Sequence, residues 1–480
     1  MPALRTPLVP PAGPWADPRL VTMGEPRLLA GIARYGRLGR EAHTTIHGPA
    51  PALSGDDLVR RAERLGLWES GAPFAQALRR VAEAGLAQGR RPRLVVSGAE
   101  DEPSCLASTG LLLHTPHLVL DGALLAARAL DATEVLIGVV REDVARSVRH
   151  AAADLGHTGI DVRVTRLNGL GFDEREIAPF TLLGSCQTYA QLAVGTHRHG
   201  LPQQERTPPP EPTTVLLTVG GHTVIETPSG MSLSYVLRSC GFDTGQGVLV
   251  GGYRGRWLAP EWAASVQVSP RLLGAHGAGA LLPLPDRTCP VGEAARVAGH
   301  IVNAAAAWCG SCAHRARTVT AALARMTAAR RSPVQAGLPA YAHVVAAGRG
   351  SCPHLDQLSD FVASAHGSFP EDFRHHASGL GCGRPVIGAL PMPSPAPKVL
   401  PLTGVHRRTG PRPRAEADQL VVDRTRCEGH GLCAVVAPEI VRLGQDGFPV
   451  ATATAVSGRQ RRRAARAVHR CPSLALRLGS

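Results

Sequence analysis

The chain has 480 residues, 44% of them hydrophobic, so it is long enough to form several hydrophobic cores. Its net charge is +14, from 52 basic and 38 acidic residues, yet only 4% of its residues are aromatic. Nucleic-acid binders typically interleave basic clusters with aromatic residues, so this composition argues against a nucleic-acid partner. The N-terminus has no apolar leader, and no uninterrupted run of about 18 apolar residues follows. We therefore expect a cytoplasmic protein that does not span a membrane.

Helix and strand patterns alternate over residues 58–202, after an N-terminal extension over 1–57. The hydrophobic periodicity predicts helices over 75–87, 118–130 and 142–155, and buried strands over 93–97, 134–140 and 161–167. Strands separated by helices of this length are typical of a parallel sheet. An α/β domain is therefore expected here.

The pattern changes after a Pro-rich stretch over 203–212. Strands over 214–219 and 222–226 flank Gly220-Gly221, which predicts a hairpin, and a helix is expected over 232–239. We interpret 213–285 as a β-grasp-like (SLBB) module. The later segments are a helical domain over 290–380, a Pro-rich linker over 381–416 and a compact α+β domain over 417–480. The whole is predicted to be a multidomain α/β protein.

Eleven cysteines, an odd number, occur without an export signal, so metal ligands are a better interpretation than a disulfide framework. In the last domain, cysteine or histidine recurs at three-residue intervals, and a distant cysteine is followed by proline. This spacing suits a loop that wraps around an iron–sulfur cluster, and Gly429 and Gly431 allow its backbone to curl. The candidate ligands are Cys427, His430, Cys433 and Cys471.

This segment resembles the single-cluster bacterial ferredoxins that feed cytochromes P450. Predicted strands over 419–423, 448–452 and 474–478 agree with that resemblance. It implies a ferredoxin-like fold and electron transfer to a redox partner protein, which could be a reductase, a cytochrome P450 or a membrane-bound reductase. Three cysteines suit a [3Fe–4S] cluster, whereas three cysteines with His430 could hold a [4Fe–4S] cluster. A Cys₃His zinc site is the alternative.

A second group of potential metal ligands lies in the helical domain. It comprises Cys309, Cys312 and Cys352, with His314 as a possible fourth donor. Spacing alone leaves structural zinc and iron–sulfur equally open. The order of α/β layer, β-grasp module and this helical domain resembles the flavin-bearing, NADH-oxidising subunit of respiratory complex I. That resemblance implies a second iron–sulfur cluster, although Arg315 stands where the family has its third cysteine.

The same resemblance extends to a flavin site. Glu100, Asp101 and Glu102 match the family's acidic flavin-side loop, and Gly71 lies where the family holds the FMN phosphate. The glycine-rich loop retains one glycine here and contains Pro73, while the Glu-Glu run that faces NADH in the family is absent. These departures weaken the expectation that FMN and NADH bind.

The predicted function is that of an iron–sulfur electron-transfer protein, part of an NAD(P)H- or flavin-linked oxidoreductase system. The alternative is a non-catalytic adaptor that docks a redox partner and in which only the C-terminal domain carries electrons. No other cysteine has a partner at ligand spacing, and structural thiols are expected at Cys105, Cys186, Cys240, Cys289 and Cys382. Solvated surface positions are expected for His197, His199, His354, His375 and His376.

Overall fold

The computed structural model describes residues 17–69, 72–100, 102–156, 158–167, 180–197, 214–269, 272, 279–308, 310–328, 353–392, 419–424, 426–444, 447–457, 460–471, 473 and 475–479. The chain divides into two compact units. The first consists of Met1–Glu293, Gly367–Phe369 and Gly383–Ser394. The second consists of Ala294–His366, Pro370–Cys382 and Pro395–Ser480. The finer domain boundaries given above stay predictions.

The N-terminal segment is built into the first unit. Its elements are β1 (Arg19–Thr22), α1 (Ile32–Tyr35), α2 (Arg40–His47), α3 (Gly55–Arg64) and the short hairpin β2 (Trp68–Glu69) and β3 (Ala72–Pro73). Helix α3 begins after Ser54, whose hydroxyl accepts the Asp57 N–H at 3.2 Å and so caps the helix. Leu28, Leu29 and Leu58 are buried in the main core, so this segment contributes to the fold.

A parallel four-stranded sheet forms the centre of the α/β part. The elements are α4 (Phe74–Gln88), β4 (Arg93–Gly98), α5 (Ala107–His114), α6 (Pro116–Ala129), β5 (Glu134–Val139), α7 (Glu142–Ala153), β6 (Asp161–Arg166), β7 (Thr181–Ser185) and α8 (Cys186–Thr196). The strand order is β6-β5-β4-β7, and all neighbours are parallel. Helices α6 and α8 pack with their backbones close together, because a Cβ at Gly122 would lie 1.9 Å from the Tyr189 carbonyl oxygen.

These elements confirm the predicted parallel sheet and the predicted helices over 75–87 and 142–155 to within two residues. The helix predicted over 118–130 begins earlier, at Pro116, because proline suits the first turn of a helix. Within the described residues no single helix could span a membrane; α5 and α6 pass that test only as a pair, and they are bent by 98°.

A mixed six-stranded sheet completes the first unit. Its further elements are β8 (Thr214–Val219), β9 (Thr223–Pro228), α9 (Leu233–Ser239), β10 (Val248–Val250), β11 (Arg256–Leu258), α10 (Pro260–Ser265) and β12 (Ala280–Pro283). The strand order is β1-β9-β8-β12-β10-β11. The predicted hairpin is confirmed: β8 and β9 are antiparallel, and Gly220 and Gly221 take φ of 63° and 75° between them. That the module is β-grasp-like stays a prediction.

In the part of 290–380 that the structure describes, the chain forms four helices; that they make up a separate iron–sulfur-binding domain stays a prediction. They are α11 (Pro290–Trp308), α12 (Gly310–Thr327), α13 (Pro353–Ser368) and α14 (Pro370–Ala377). The expectation that His376 is solvated is wrong, since its side chain is buried and its Nδ1 lies 2.9 Å from the Met326 carbonyl oxygen. The same expectation fails for His197, which is 1% exposed.

The C-terminal domain is a small α+β unit. It contains β13 (Gln419–Val422), α15 (Leu432–Val436), β14 (Ala453–Ala455), α16 (Arg461–Arg470) and β15 (Leu476–Gly479), with the antiparallel strand order β14-β13-β15. The pairing of the first and last strands is as predicted. The strand predicted over 448–452 is wrong. Gly447 has a φ of 79° and Pro449 has no N–H, so this stretch turns back against residues 442–444 instead.

Candidate metal centre

The three C-terminal cysteines and His430 line one small cavity. Val422, Pro449, Ala475 and Leu476 give it a mainly apolar wall. All three thiols are half-buried, and they pack against the small hydrophobic core of the domain. The structure therefore brings together the four residues that the sequence selected, although they are up to 44 positions apart. Their role as ligands stays a prediction.

Strand β13 fixes the start of the ligand loop. The Asp423 N–H donates to the Ala475 carbonyl at 2.7 Å, and the Cys427 N–H donates to the Asp423 carbonyl at 3.0 Å. Gly429 and Gly431 both have a φ of 68°, a conformation that costs an L-residue about 1–2 kcal/mol. The loop thus curls at these two glycines, as the sequence predicts.

Two helices place the other thiols. Cys433 lies in α15, and Cys471 directly follows α16. The Ala475 N–H donates to the Cys471 sulfur at 3.3 Å, a contact that favours the thiolate. Burial raises the pKa of the Cys433 thiol, and the nearby Cys471 and Cys427 add to that effect.

The donor set fits an iron–sulfur cluster. Thiolates are the usual cluster ligands, and a backbone N–H directed at one sulfur is typical of the surroundings that tune them. The His430 side chain is 20% exposed, and its Nε2 lies 3.7 Å from a Glu428 carboxylate oxygen. An imidazole so placed on the cavity wall can serve as a fourth ligand.

The second predicted group of metal ligands lies largely outside the residues that the structure describes. Cys309 and Cys352 lie outside the described residues, and Arg315 belongs to α12 without a described side chain. Cys312 and His314 also belong to α12, near its first turn, and their side chains lie outside the description. A second cluster in this region stays a prediction.

The predicted flavin-side acids have partners within the chain. Glu100 follows β4, and its carboxylate accepts the Thr109 N–H at 2.7 Å. Glu102 is 2% exposed; it accepts the hydroxyl of Ser104 at 2.8 Å and the N–H of Tyr253 at 2.9 Å. Burial raises the pKa of Glu102 to about 7. Gly71 and Asp101 lie outside the described residues, so the flavin contacts of all four residues stay predictions.

A third carboxylate lies at the carboxyl edge of the parallel sheet, where ligands of open α/β sheets usually bind. Glu69 accepts the Ser185 N–H at 2.8 Å and the Thr188 hydroxyl at 2.6 Å, at the start of α8. No motif in the sequence indicates this contact. A carboxylate is the group that a helix N-terminus favours, so the chain supplies an anion to this position itself.

Two family models match the chain. Residues 420–478 match a 4Fe-4S single cluster domain, and residues 59–170 match the Nuo51 FMN-binding domain. The doubt about FMN that follows from the single remaining glycine and Pro73 is not supported by the second match. A curated relative, Ferredoxin-1 of Streptomyces griseolus, is 46% identical over 57 residues, which is 12% of this chain and 83% of that protein.

Solved structures agree in fold. An NAD+-reducing [NiFe]-hydrogenase in the air-oxidized state has a TM-score of 0.61 at 16% identity, covering 79% of this chain and 73% of its own. The H2-reduced state gives a TM-score of 0.60 at 17% identity, covering 78% of this chain and 70% of its own. The chain thus joins a Nuo51 FMN-binding domain to a C-terminal 4Fe-4S single-cluster domain, and through that second domain it belongs to the ferredoxin family.

Proposed function

We propose that this protein is the electron-transfer component of a flavin-linked oxidoreductase system, and that its C-terminal cluster exchanges electrons with a separate redox partner in the cytoplasm. The observation that carries the proposal is the cavity on which Cys427, Cys433 and Cys471 converge with His430. The matches to a single-cluster domain and to an FMN-binding domain in one chain support it. A reducing compartment such as the cytoplasm keeps cysteine thiols reduced and therefore available as ligands.

The residues of the cavity have distinct tasks in this proposal. The three thiolates hold the cluster and His430 supplies the fourth ligand, which makes the cluster a [4Fe–4S] centre rather than a [3Fe–4S] centre. The bound cluster supplies one-electron transfer at a potential set by its surroundings. The Ala475 N–H stabilises negative charge on the Cys471 sulfur and therefore favours the reduced state.

An internal route for electrons is part of the proposal. Within the second unit, α12 packs against α16. Helix α12 carries Cys312 and His314 near its start, and α16 leads directly into Cys471. If Cys309, Cys312 and Cys352 hold a second cluster, this helix contact joins the two domains that carry the clusters.

The surface near the ligand loop suits a protein partner. Leu432 and Val435, on either side of Cys433, are 38% and 79% exposed. On α16, Arg462 and Arg466 are exposed one helical turn apart. Exposed apolar groups with nearby cations are suited to an acidic redox protein, whose association the positive charge would accelerate.

The test is an anaerobic purification of the full chain, followed by assays for iron, sulfide, zinc and released FMN, with EPR before and after dithionite. Two clusters with FMN correspond to about seven or eight irons per chain, and the proposal expects that result. Three or four irons without FMN would instead favour the adaptor, in which only the C-terminal domain carries electrons. Zinc without sulfide would refute electron transfer.

A pair of variants identifies the cluster that is measured. Cys433→Ser should remove the iron and the EPR signal of the C-terminal domain, because it deletes one thiolate of the cavity. Cys240→Ser is the control, since Cys240 packs in a core of the first unit and belongs to none of the groups of potential metal ligands among the described residues. Equal iron content in both variants would show that the cavity is not the cluster site.

A further inference from the structure

Four histidines and one aspartate form a buried cluster in the first unit, remote in sequence from every cysteine group discussed above. His43 and His47 lie one turn apart on α2, His117 and Asp121 lie one turn apart on α6, and His197 follows α8. Each histidine is at most 7% exposed, and Asp121 is 8% exposed. Such a concentration of imidazoles is unusual in a protein interior, where polar groups need partners.

Three of these residues converge on one point. The Asp121 Oδ2 atom lies 2.8 Å from His43 Nε2 and 3.4 Å from His197 Nε2, and the three ligand atoms all lie within 4.8 Å of one another. A tetrahedral zinc ion with bonds of about 2.0–2.1 Å needs donor atoms about 3.3 Å apart. The observed spacing therefore requires only small movements to accommodate an ion.

A backbone carbonyl fixes the orientation of the His197 ring. Its Nδ1 lies 3.0 Å from the Gly48 carbonyl oxygen, which can only accept, so Nδ1 carries the proton. The other ring nitrogen, Nε2, is buried without a hydrogen-bond partner and lies 3.4 Å from the Asp121 Oδ2 atom. A hydrogen bond from one imidazole nitrogen to a backbone carbonyl, with the other nitrogen directed at a cation, is the usual arrangement of a metal-bound histidine.

A fourth donor, His47, lies farther out and is not among the three residues whose ligand atoms share the 4.8 Å spacing. The His47 Nε2 atom is buried without a hydrogen-bond partner, and the His47 ring lies 4.9 Å from the His43 ring and 6.1 Å from the His197 ring. Two histidines at i and i+4 on one helix face are also a recurrent metal-binding pair.

We propose that His43, His47, Asp121 and His197 bind one divalent transition-metal ion, of which zinc is the first candidate. Imidazole and carboxylate donors suit zinc, and the burial of all four donors indicates a closed structural site. The ion would join α2 to α6 and to the end of α8. His117, whose Nε2 lies 3.3 Å from an Asp154 carboxylate oxygen, stays outside the ligand set and packs against His43.

The experiment measures zinc in the full chain purified without chelator, by elemental analysis and zinc X-ray absorption. The proposal expects about one zinc per chain with only nitrogen and oxygen ligands at roughly 2.0–2.1 Å. X-ray absorption distinguishes this site from zinc bound in a cysteine site, because zinc–sulfur distances are about 2.3 Å. Finding only sulfur-bound zinc, or none after incubation with excess Zn²⁺, would overturn the proposal.

Variants provide an independent readout. Asp121→Asn and His43→Gln preserve side-chain volume, and each should weaken zinc binding by roughly 10-fold or more. His150→Gln on α7 is the matched control, since His150 is exposed. If Asp121→Asn does not fold, judged by circular dichroism, His47→Gln replaces it. Nitrogen-bound zinc that persists undiminished in the folded variants would also overturn the proposal.

Discussion

Replacing Glu102 by glutamine should change how the stability of the first unit depends on pH. The carboxylate links the loop after β4 to Tyr253, in the turn before β11. Gly252 has a φ of 66°, and a Cβ there would lie 2.4 Å from the carboxyl carbon of Glu102. The acid is thus enclosed by backbone, and glutamine keeps its size while removing its charge.

The magnitude follows from the raised pKa. Burial lifts the pKa of Glu102 from 4.5 to about 7, so between these values the folded chain keeps a proton that the unfolded chain has lost. The free energy of unfolding therefore falls as pH rises through that window, by about 3 kcal/mol in total at about 1.4 kcal/mol per tenfold change in proton affinity. Glutamine does not titrate. From about pH 5 to about pH 8, Glu102→Gln should gain about 3 kcal/mol relative to the wild type.

Hydrogen exchange measured by mass spectrometry on peptides covering β10 and Tyr253 reports this module separately from the other parts of the chain. Glu83→Gln on α4 is the control, because Glu83 is exposed in the same unit. A stability difference between Glu102→Gln and wild type that stays constant from pH 5 to pH 8 would refute the buried ionisation. FMN retention measured on the same samples tests the alternative, that Glu102 contacts the flavin. If Glu102 only links the two loops, the variant and the wild type should retain equal FMN wherever their folded fractions are equal.

Three further predictions concern the C-terminal domain. Gly431→Ala should lower the stability of the domain by about 1–2 kcal/mol and reduce its cluster content. The backbone at this position is left-handed, and the added Cβ would lie 3.3 Å from the Leu443 side chain. Gly447→Ala, with the same strain but open space, should leave the iron content unchanged. His430→Ala should convert a [4Fe–4S] centre to a [3Fe–4S] centre, visible by EPR of the oxidised protein; an unchanged spectrum would exclude His430 as a ligand. Arg462→Glu with Arg466→Glu should slow electron transfer to an acidic partner at low salt and reduce its salt dependence in stopped-flow measurements.

The convergence of the four candidate ligands on one cavity could be predicted because the sequence signal is local. Three of the four candidate ligands fall within seven consecutive residues, and the glycines that shape the loop stand between them. The fourth, Cys471, was recognisable from the proline that follows it. The error at 448–452 shows the limit of this reasoning, since apolar and β-branched residues indicated a strand where Pro449 and the turn at Gly447 prevent one.

The α/β part was predictable where periodicity was strong. Strands β4, β5 and β6 read as short apolar runs between amphipathic helices, and each was located to within one residue. Helix α5 was missed, because Ala107–Leu112 is buried on all sides and shows no helical periodicity. Strand β7 is five residues long and follows a stretch with no clear pattern.

The buried histidines show what a sequence pattern cannot reveal. Histidine is a polar residue, and without an alignment its default place is the surface, which gave the wrong expectation for His197. Its burial depends on tertiary contacts. Gly122 lets α6 approach α8, and the carbonyl of Gly48, at the end of α2, accepts a hydrogen bond from the His197 ring. Only the i,i+4 spacings of His43 with His47 and of His117 with Asp121 are visible in the sequence.

The structure divides the cysteines by environment as well as by spacing. Cys105, Cys186 and Cys240 are buried, and burial raises the pKa of each thiol, that of Cys240 to about 11, so these thiols stay protonated and act as apolar groups. The three C-terminal thiols are half-buried on one cavity wall, and one of them already receives a backbone N–H. A cluster held there lies close to the domain surface, beside the exposed Leu432 and Val435. A carrier that must meet a separate partner needs this position, which a fully enclosed cluster would lack.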